Sequence, residues 1–166
     1  MAIDTGIGIS LTAVTTTQQA PLGQTVLQPA GTGGEGEKVW IYVRNIAGVA
    51  LGAGALCRRA YTAVTLPPRL LATVIRTPAA AAACSQVTGV AQHAIPDQSY
   101  GWILRSGVGT VLVAAATAVG EGLVTTVGTA VGQADPAAAA TNDSFGVALS
   151  LTLGAGSATA IIDCKG

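Results

Sequence analysis

The stretch "YGWILRSGVGTVLVAAATAVGEGLVTT", residues 100–126, decides how the chain is read. Only Arg105 and Glu121 carry charge in it. A membrane-spanning helix needs about 20 consecutive apolar residues. The uncharged run from Ser106 to Gly120 falls short of that and is broken by Gly107, Gly109 and Gly120. Its opening alternates aromatic and β-branched residues as a strand does. We expect a β-hairpin from Tyr100 to Ala114, reversing in "RSGVG", where Gly107 and Gly109 supply the positive φ of a tight turn. Tyr100, Trp102 and Leu104 then share one face of its first strand.

Working outward, the same texture recurs. "KVWIYVRN" at 38–45 is the clearest strand, with Trp40 and Tyr42 on one face and Ile41 and Val43 on the other. "QTVLQ", "VTGVAQHAI", "GLVTTV", "AVGQA", "FGVALSLTL" and "SATAIIDC" are further short runs bounded by turn residues. "RLLATVIR" at 69–76 fits a short helix by length, but its flanking prolines and Thr-Val-Ile core favour a strand or an irregular loop. An apolar residue followed by Gly-x-Gly recurs at Leu51–Gly54, Val119–Gly122 and Leu153–Gly156, and reads as a repeated strand entry. Gly-Val-Ala begins at residues 48, 89 and 146. Matches this short arise by chance in a Gly/Ala/Val-rich chain, and we infer no duplicated domain from them. The expected fold is all-β, a compact small barrel or sandwich of short strands. Residues 1–38, Thr-, Gln- and Gly-rich and broken by Pro21 and Pro29, are expected to form an extended N-terminal arm before a domain spanning 39–166.

Composition bounds the function. Charged residues make up 10% of the 166, where about 25% is usual for a soluble domain. Eight basic and eight acidic residues cancel, so no basic footprint for nucleic acid is implied. A weakly charged surface of this kind favours deliberate self-association. The start "MAIDTGIGIS" lacks the positive region and apolar core of a signal peptide. Cys57, Cys84 and Cys164 are odd in number and far apart, which points to unlinked thiols rather than a metal or redox site.

The chemical motifs are weak. Gly31, Gly33 and Gly36 match Gly-x-Gly-x-x-Gly, but a strand follows where the dinucleotide fingerprint needs a helix. His93 is the one histidine, and no nucleophile elbow accompanies it. The carboxylates are scattered without the alternating oxygen ligands of a calcium loop. Arg58 and Arg59 face opposite sides of a strand, which splits any single patch. Neither a cofactor nor a metal is implied, and an enzyme is not expected. The aromatics Trp40, Tyr42, Tyr100 and Trp102 are expected to pair across two strands and to serve as a subunit interface.

From "GVAQHAIPDQSYGWILRSGVGTVLVAAATAVGEGLVTTVGTAVGQAD" through "SFGVALS", the chain resembles capsid decoration, or cement, proteins of tailed bacteriophages. The features are a Gly-Val-Ala strand, a Tyr-Gly-Trp strand, an Ala/Val-rich continuation and a late Phe-Gly-Val-Ala strand, spread over about residues 39–166. The resemblance implies a virion structural protein on the outer capsid surface that binds the major capsid protein, clamps neighbouring subunits and assembles as a homotrimer. It implies no nucleic acid or membrane partner. Ile3, Ile7, Ile9 and Leu11 are the expected apolar anchors of the arm on the capsid. A tail-tube or fibre component shares this composition, as does a carbohydrate-binding β-domain.

Overall fold

The computed structural model describes residues 9–31, 36–60, 73–76, 86–125, 131–137 and 144–164. They form ten strands and, among the described residues, no α-helix. These are β1 (Thr25–Gln28), β2 (Lys38–Asn45), β3 (Leu56–Arg59), β4 (Thr73–Arg76), β5 (Val87–Ala91), β6 (Tyr100–Val113), β7 (Gly122–Thr125), β8 (Ala134–Ala137), β9 (Gly146–Ala148) and β10 (Gly156–Asp163). The all-β reading and the barrel hold. The order is β1-β2-β4-β3-β5-β6-β10-β9-β7-β8, with β6 also meeting β2 and β8. Those two extra pairings close two rings. β2, β4, β3, β5 and β6 form a first five-stranded barrel. β6, β10, β9, β7 and β8 form a second ring, closed by one parallel pair, Val113 with Ala134.

The two rings have the same connectivity. In each, the first strand pairs in parallel with the third and antiparallel with the fifth (β2 with β4 and β6; β6 with β8 and β10). The second pairs with the third and fourth, and the fourth with the fifth. The registers agree as well. Ala91 faces Ile103, and Ala148 faces Ala160, twelve residues on in both. Gly54 N–H donates to Ala91 O, and Gly120 N–H to Ala148 O. Isolated bridges sit at matching places, Leu51 with Ile95 and Thr117 with Thr152. The strand-entry glycines are therefore Gly54 and Gly120, both with positive φ, and the second glycine of the Gly-x-Gly pattern coincides with the turn only in the first ring. Of the three Gly-Val-Ala runs, those at 89 and 146 are equivalent. A Cβ on Gly89 would lie 2.8 Å from Leu104 O, and one on Gly146 would lie 2.5 Å from Ile161 O. The duplication is thus real, carried by backbone bonding rather than by side chains.

β6 belongs to both rings, as fifth strand of one and first of the other. The expected hairpin is instead this single strand of 14 residues. Gly107 does take a positive φ, of 118°, but it serves an irregularity in the ladder: Val39 and Trp40 are consecutive while their partners are Ser106 and Leu104. The extra residue on β6 reverses the side-chain alternation. Trp102 and Leu104 before it, and Val111 and Val113 after it, consequently join the same apolar cluster. Gly109 is needed here too, because a Cβ would overlap Leu104 Cδ2.

Two cores result. Ile41, Val43, Leu51, Cys57, Val74, Ala91, Ile95 and Ile103 fill the first barrel. A larger cluster combines the second ring's contents (Val111, Leu123, Ala134, Ala148, Ala158, Ala160) with the outer aromatic face of the first barrel. That face is covered by the N-terminal segment. Leu11 and Ala20 are buried in the cluster, Ile9, Leu22 and Val26 pack on it, and β1 pairs with β2. Residues 9–28 are therefore part of the body and not a free arm.

Candidate interaction surfaces

The aromatic residues pair as their alternation requires. Tyr42 lies opposite Trp102, and Tyr100 opposite Arg44. The Tyr42 ring stacks on Tyr100 with centroids 6.2 Å apart and tilts against Trp102 at 5.0 Å. Their role differs from the expected one. Trp40, Tyr42 and Trp102 are buried within their own subunit, Tyr42 and Trp102 almost completely, so they are core residues and not a subunit interface. Only Tyr100 is half-buried, and the Arg44 guanidinium sits 5.6 Å from its centroid. The N-terminal segment ties itself to this cluster by polar contacts. Gln19 N–H donates to Tyr42 Oη at 3.0 Å, and Trp40 Nε1 donates to Gln28 Oε1 at 2.8 Å. Leu11, expected as a capsid anchor, is likewise in the core at 4% exposure, and Ile9 packs against it. An alternating apolar run beside an uncovered aromatic face is used first by its own fold. Ile3 and Ile7 lie outside the described residues, as does Cys84.

The remaining sites called from sequence stay apart. His93 is half-buried, and burial pushes its imidazole below the ordinary 6.5. Cys57 and Cys164 are buried and in no disulfide. Burial pushes the Cys57 thiol up to about 12, opposed by a backbone hydrogen bond with Ala91. Among the described residues no three His, Cys, Asp or Glu side chains stand close enough to hold a metal ion. The turn Pro96–Ser99 places Gln98 at φ 59°, held by Arg44 Nη2 donating to Gln98 Oε1 at 2.7 Å and by Gly48 N–H donating to Asp97 Oδ1 at 2.9 Å.

Two surface features were not read from the sequence. The first is an apolar tip on the second ring. Backbone bonds at Thr117–Thr152 and Gly120–Ala148 lay the two connecting segments side by side. Val119, Leu149, Leu151 and Leu153 are exposed there, Leu153 at 91%. The second feature is charge segregation. Residues 38–106 carry seven of the eight basic residues (Lys38, Arg44, Arg58, Arg59, Arg69, Arg76, Arg105) and one acid, Asp97. Residues 107–166 carry Lys165 against Glu121, Asp135, Asp143 and Asp163. Arg69, Asp143 and Lys165 lie outside the described residues; among those described, the first barrel carries Lys38, Arg44, Arg58, Arg59, Arg76 and Arg105 with Asp97, and the second ring carries Glu121, Asp135 and Asp163.

No protein-family model matches the chain, and no curated protein matches it. Among solved structures it is similar to the head fiber gp8.5 N base of bacteriophage phi29. The TM-score is 0.51 at 15% identity, over 76% of this chain and 94% of that one. At that identity the likeness is one of fold.

Proposed function

We propose that the chain is a structural subunit of a phage virion, carried on the outside of the capsid. The observation that supports this best is the fold shared with a head-fibre N base over 94% of that chain. The structure is in keeping with such a role. Two barrels welded through one strand make a stiff body, and its exposed apolar residues gather at one end instead of scattering. In this reading the protein is non-enzymatic, assembles as a homotrimer, binds the major capsid protein and clamps neighbouring capsid subunits. Several weak contacts made at once by a trimer reinforce one another through effective concentration. A second reading, the mounting base of a head fibre, is favoured by the neighbour's own role and differs in what the outward end carries.

The test is to add purified protein to expanded capsids lacking it, and to measure co-sedimentation and the temperature of shell rupture. Binding with a raised rupture temperature supports the clamp. Binding without any change in rupture temperature favours the fibre base. Absence of binding overturns both.

A further inference from the structure

We infer that copies of this chain associate head to tail, the apolar tip of the second ring of one copy seating on the basic end of the first barrel of the next. The inference deepens the proposed self-assembly and rests on that reading, but it concerns the isolated chain and needs no capsid.

Three observations carry it. The first is placement. Arg44 pairs with Tyr100 at the start of β6, whereas Val113, at its other end, pairs with Gly156 and Ala134. Fourteen residues of strand separate the ends by about 45 Å. A surface at one end cannot fold back onto the other within a single copy.

The second is charge complementarity. The tip end holds Glu121, in the turn before β7, where one carboxylate oxygen accepts from Ala118 N–H at 2.7 Å. At the opposite end Val74 pairs with both Asn45 and Arg59, which sets Arg44 and Arg59 on strands flanking β4. Among the described residues no ion pair joins Arg44, Arg58, Arg59 or Arg105 to a carboxylate, and the buried Nε atoms of Arg44, Arg58 and Arg59 lack hydrogen-bond partners. Among the described residues no carboxylate neutralises these cations, and a second copy brings Glu121 to them. Unlike charges at the rim steer and orient such an encounter.

The third is a swap of side chains between equivalent positions. The first barrel has Leu51 and Ile95 at its closing bridge, both fully buried. The second ring has Thr117 and Thr152 there, with Leu151 and Leu153 on either side of Thr152 turned to solvent. Their equivalents in the first barrel are Ala94 and Pro96. At the basic end Val49 is 43% exposed, and its carbonyl accepts from Asn45 Nδ2 at 2.8 Å. It provides an apolar contact at this end, next to Gly48, whose N–H donates to Asp97 Oδ1 at 2.9 Å. Two unlike surfaces at opposite ends form a heterologous contact, which closes into a ring such as a trimer when the rotation between copies allows and otherwise extends as a filament.

Sedimentation velocity of the purified chain, with melting curves as a control for folding, tests this. Wild type should self-associate, and raising salt from about 0.1 M to about 1 M, which shortens the screening length from about 10 Å to about 3 Å, should weaken it. The tip variant Leu151→Glu/Leu153→Glu should melt as wild type does and associate at least about thirtyfold more weakly. Val49→Glu, at the other end, should also lose self-association. Mixing the two variants should restore a one-to-one dimer, because each retains the surface the other lost. A monomeric wild type at every concentration overturns the inference. So does a Val49→Glu chain that dimerises as wild type does, which would mean tip-to-tip contact. If a duplex DNA probe binds the basic barrel and self-association is absent, the partner is a polyanion and the inference also fails.

Discussion

In the first barrel Leu51 and Ile95 form the closing bridge and fill the interior. In the second, Thr117 and Thr152 make the same bridge while the leucines beside them face water. Ile103 in the first interior corresponds to Ala160 in the second, and Asn45, whose side chain bonds Val49 O, Ile95 O and Ala47 N–H, corresponds to Val113. One hydrogen-bond plan is thus built twice with opposite priorities. The first copy puts its bulk inside and finishes its end with a polar network. The second has Ala134 and Ala160 where the first has Val74 and Ile103, beside the buried Leu123, Phe145 and Ile162, and turns leucines outward at the tip. Backbone ladders tolerate this divergence because they require only backbone geometry, with side-chain limits at a few contacts such as Gly89 and Gly146.

The largest test of this difference is in the cores. Ile103→Ala should cost about 2–5 kcal/mol by leaving a cavity in the first barrel, measured by urea unfolding. Ala160→Ile makes the reverse exchange in the second ring and should cost less, about 1–3 kcal/mol, through overpacking. An Ala160→Ile chain more stable than wild type would mean that the second interior is underfilled. Because the larger core spans both rings through β6, all these variants should unfold in one transition. Two separated transitions would show that the rings are independent units.

The paired glycines come next. Gly89→Ala and Gly146→Ala both drive a Cβ against a carbonyl of the fifth strand. Each should lower stability by about 1–3 kcal/mol, with Gly146→Ala the worse because its contact is tighter. If either is neutral, the close approach at that site is not shared.

The two smallest effects belong to the first barrel and have no counterpart in the second. Cys57 occupies the place of Leu123. With its thiol held up to about 12 in the folded chain against 9.0 when unfolded, the unfolded state loses its proton first. Stability should be intact below about pH 9 and fall as pH rises above it. In Cys57→Ala that alkaline slope should flatten, and native Cys57 should resist thiol reagents that label it after denaturation. His93 occupies the place of Ser150. Its imidazole titrates below 6.5 when folded, so its contribution is present above that value and lost as pH falls below it. His93→Ser should reduce the loss of melting temperature in mild acid, by a small amount because the ring is only half-buried. An unchanged acid profile would assign the sensitivity to carboxylates instead.

Local chemistry was legible along the chain. The β-branched and aromatic alternation of 38–45 located β2, the stretch 69–76 read as a strand or an irregular loop and holds β4 in its second half, and the pairing of the Trp40–Tyr42 strand with the Tyr100–Trp102 strand was expected from alternation. The run "AVGQA" at 130–134 overlaps β8 only at Ala134, and the strand continues through Pro136. Past Ala134, β8 pairs with β7 alone among the described residues, and a missing N–H is tolerated on an open side. The surface that carries the assembly proposal was not legible. Thr117, Thr152 and the leucines around them look like any other apolar turn until the first barrel shows which residues those positions normally hold.

The sequence by itself determined the fold class, because period-two patterning and glycine at positive φ are properties of a residue and its near neighbours. Only the tertiary structure decided that residues 100–113 run straight, since one extra residue near Arg105 reverses the alternation and gives a strand the appearance of a hairpin. It decided as well that Ile9 and Leu11 pack inward, because the aromatic face they cover is assembled from strands about 30 and 90 residues further along the chain. The duplication, too, was visible only there. Its record lies in which N–H meets which carbonyl, and that pattern leaves little trace in side chains free to diverge.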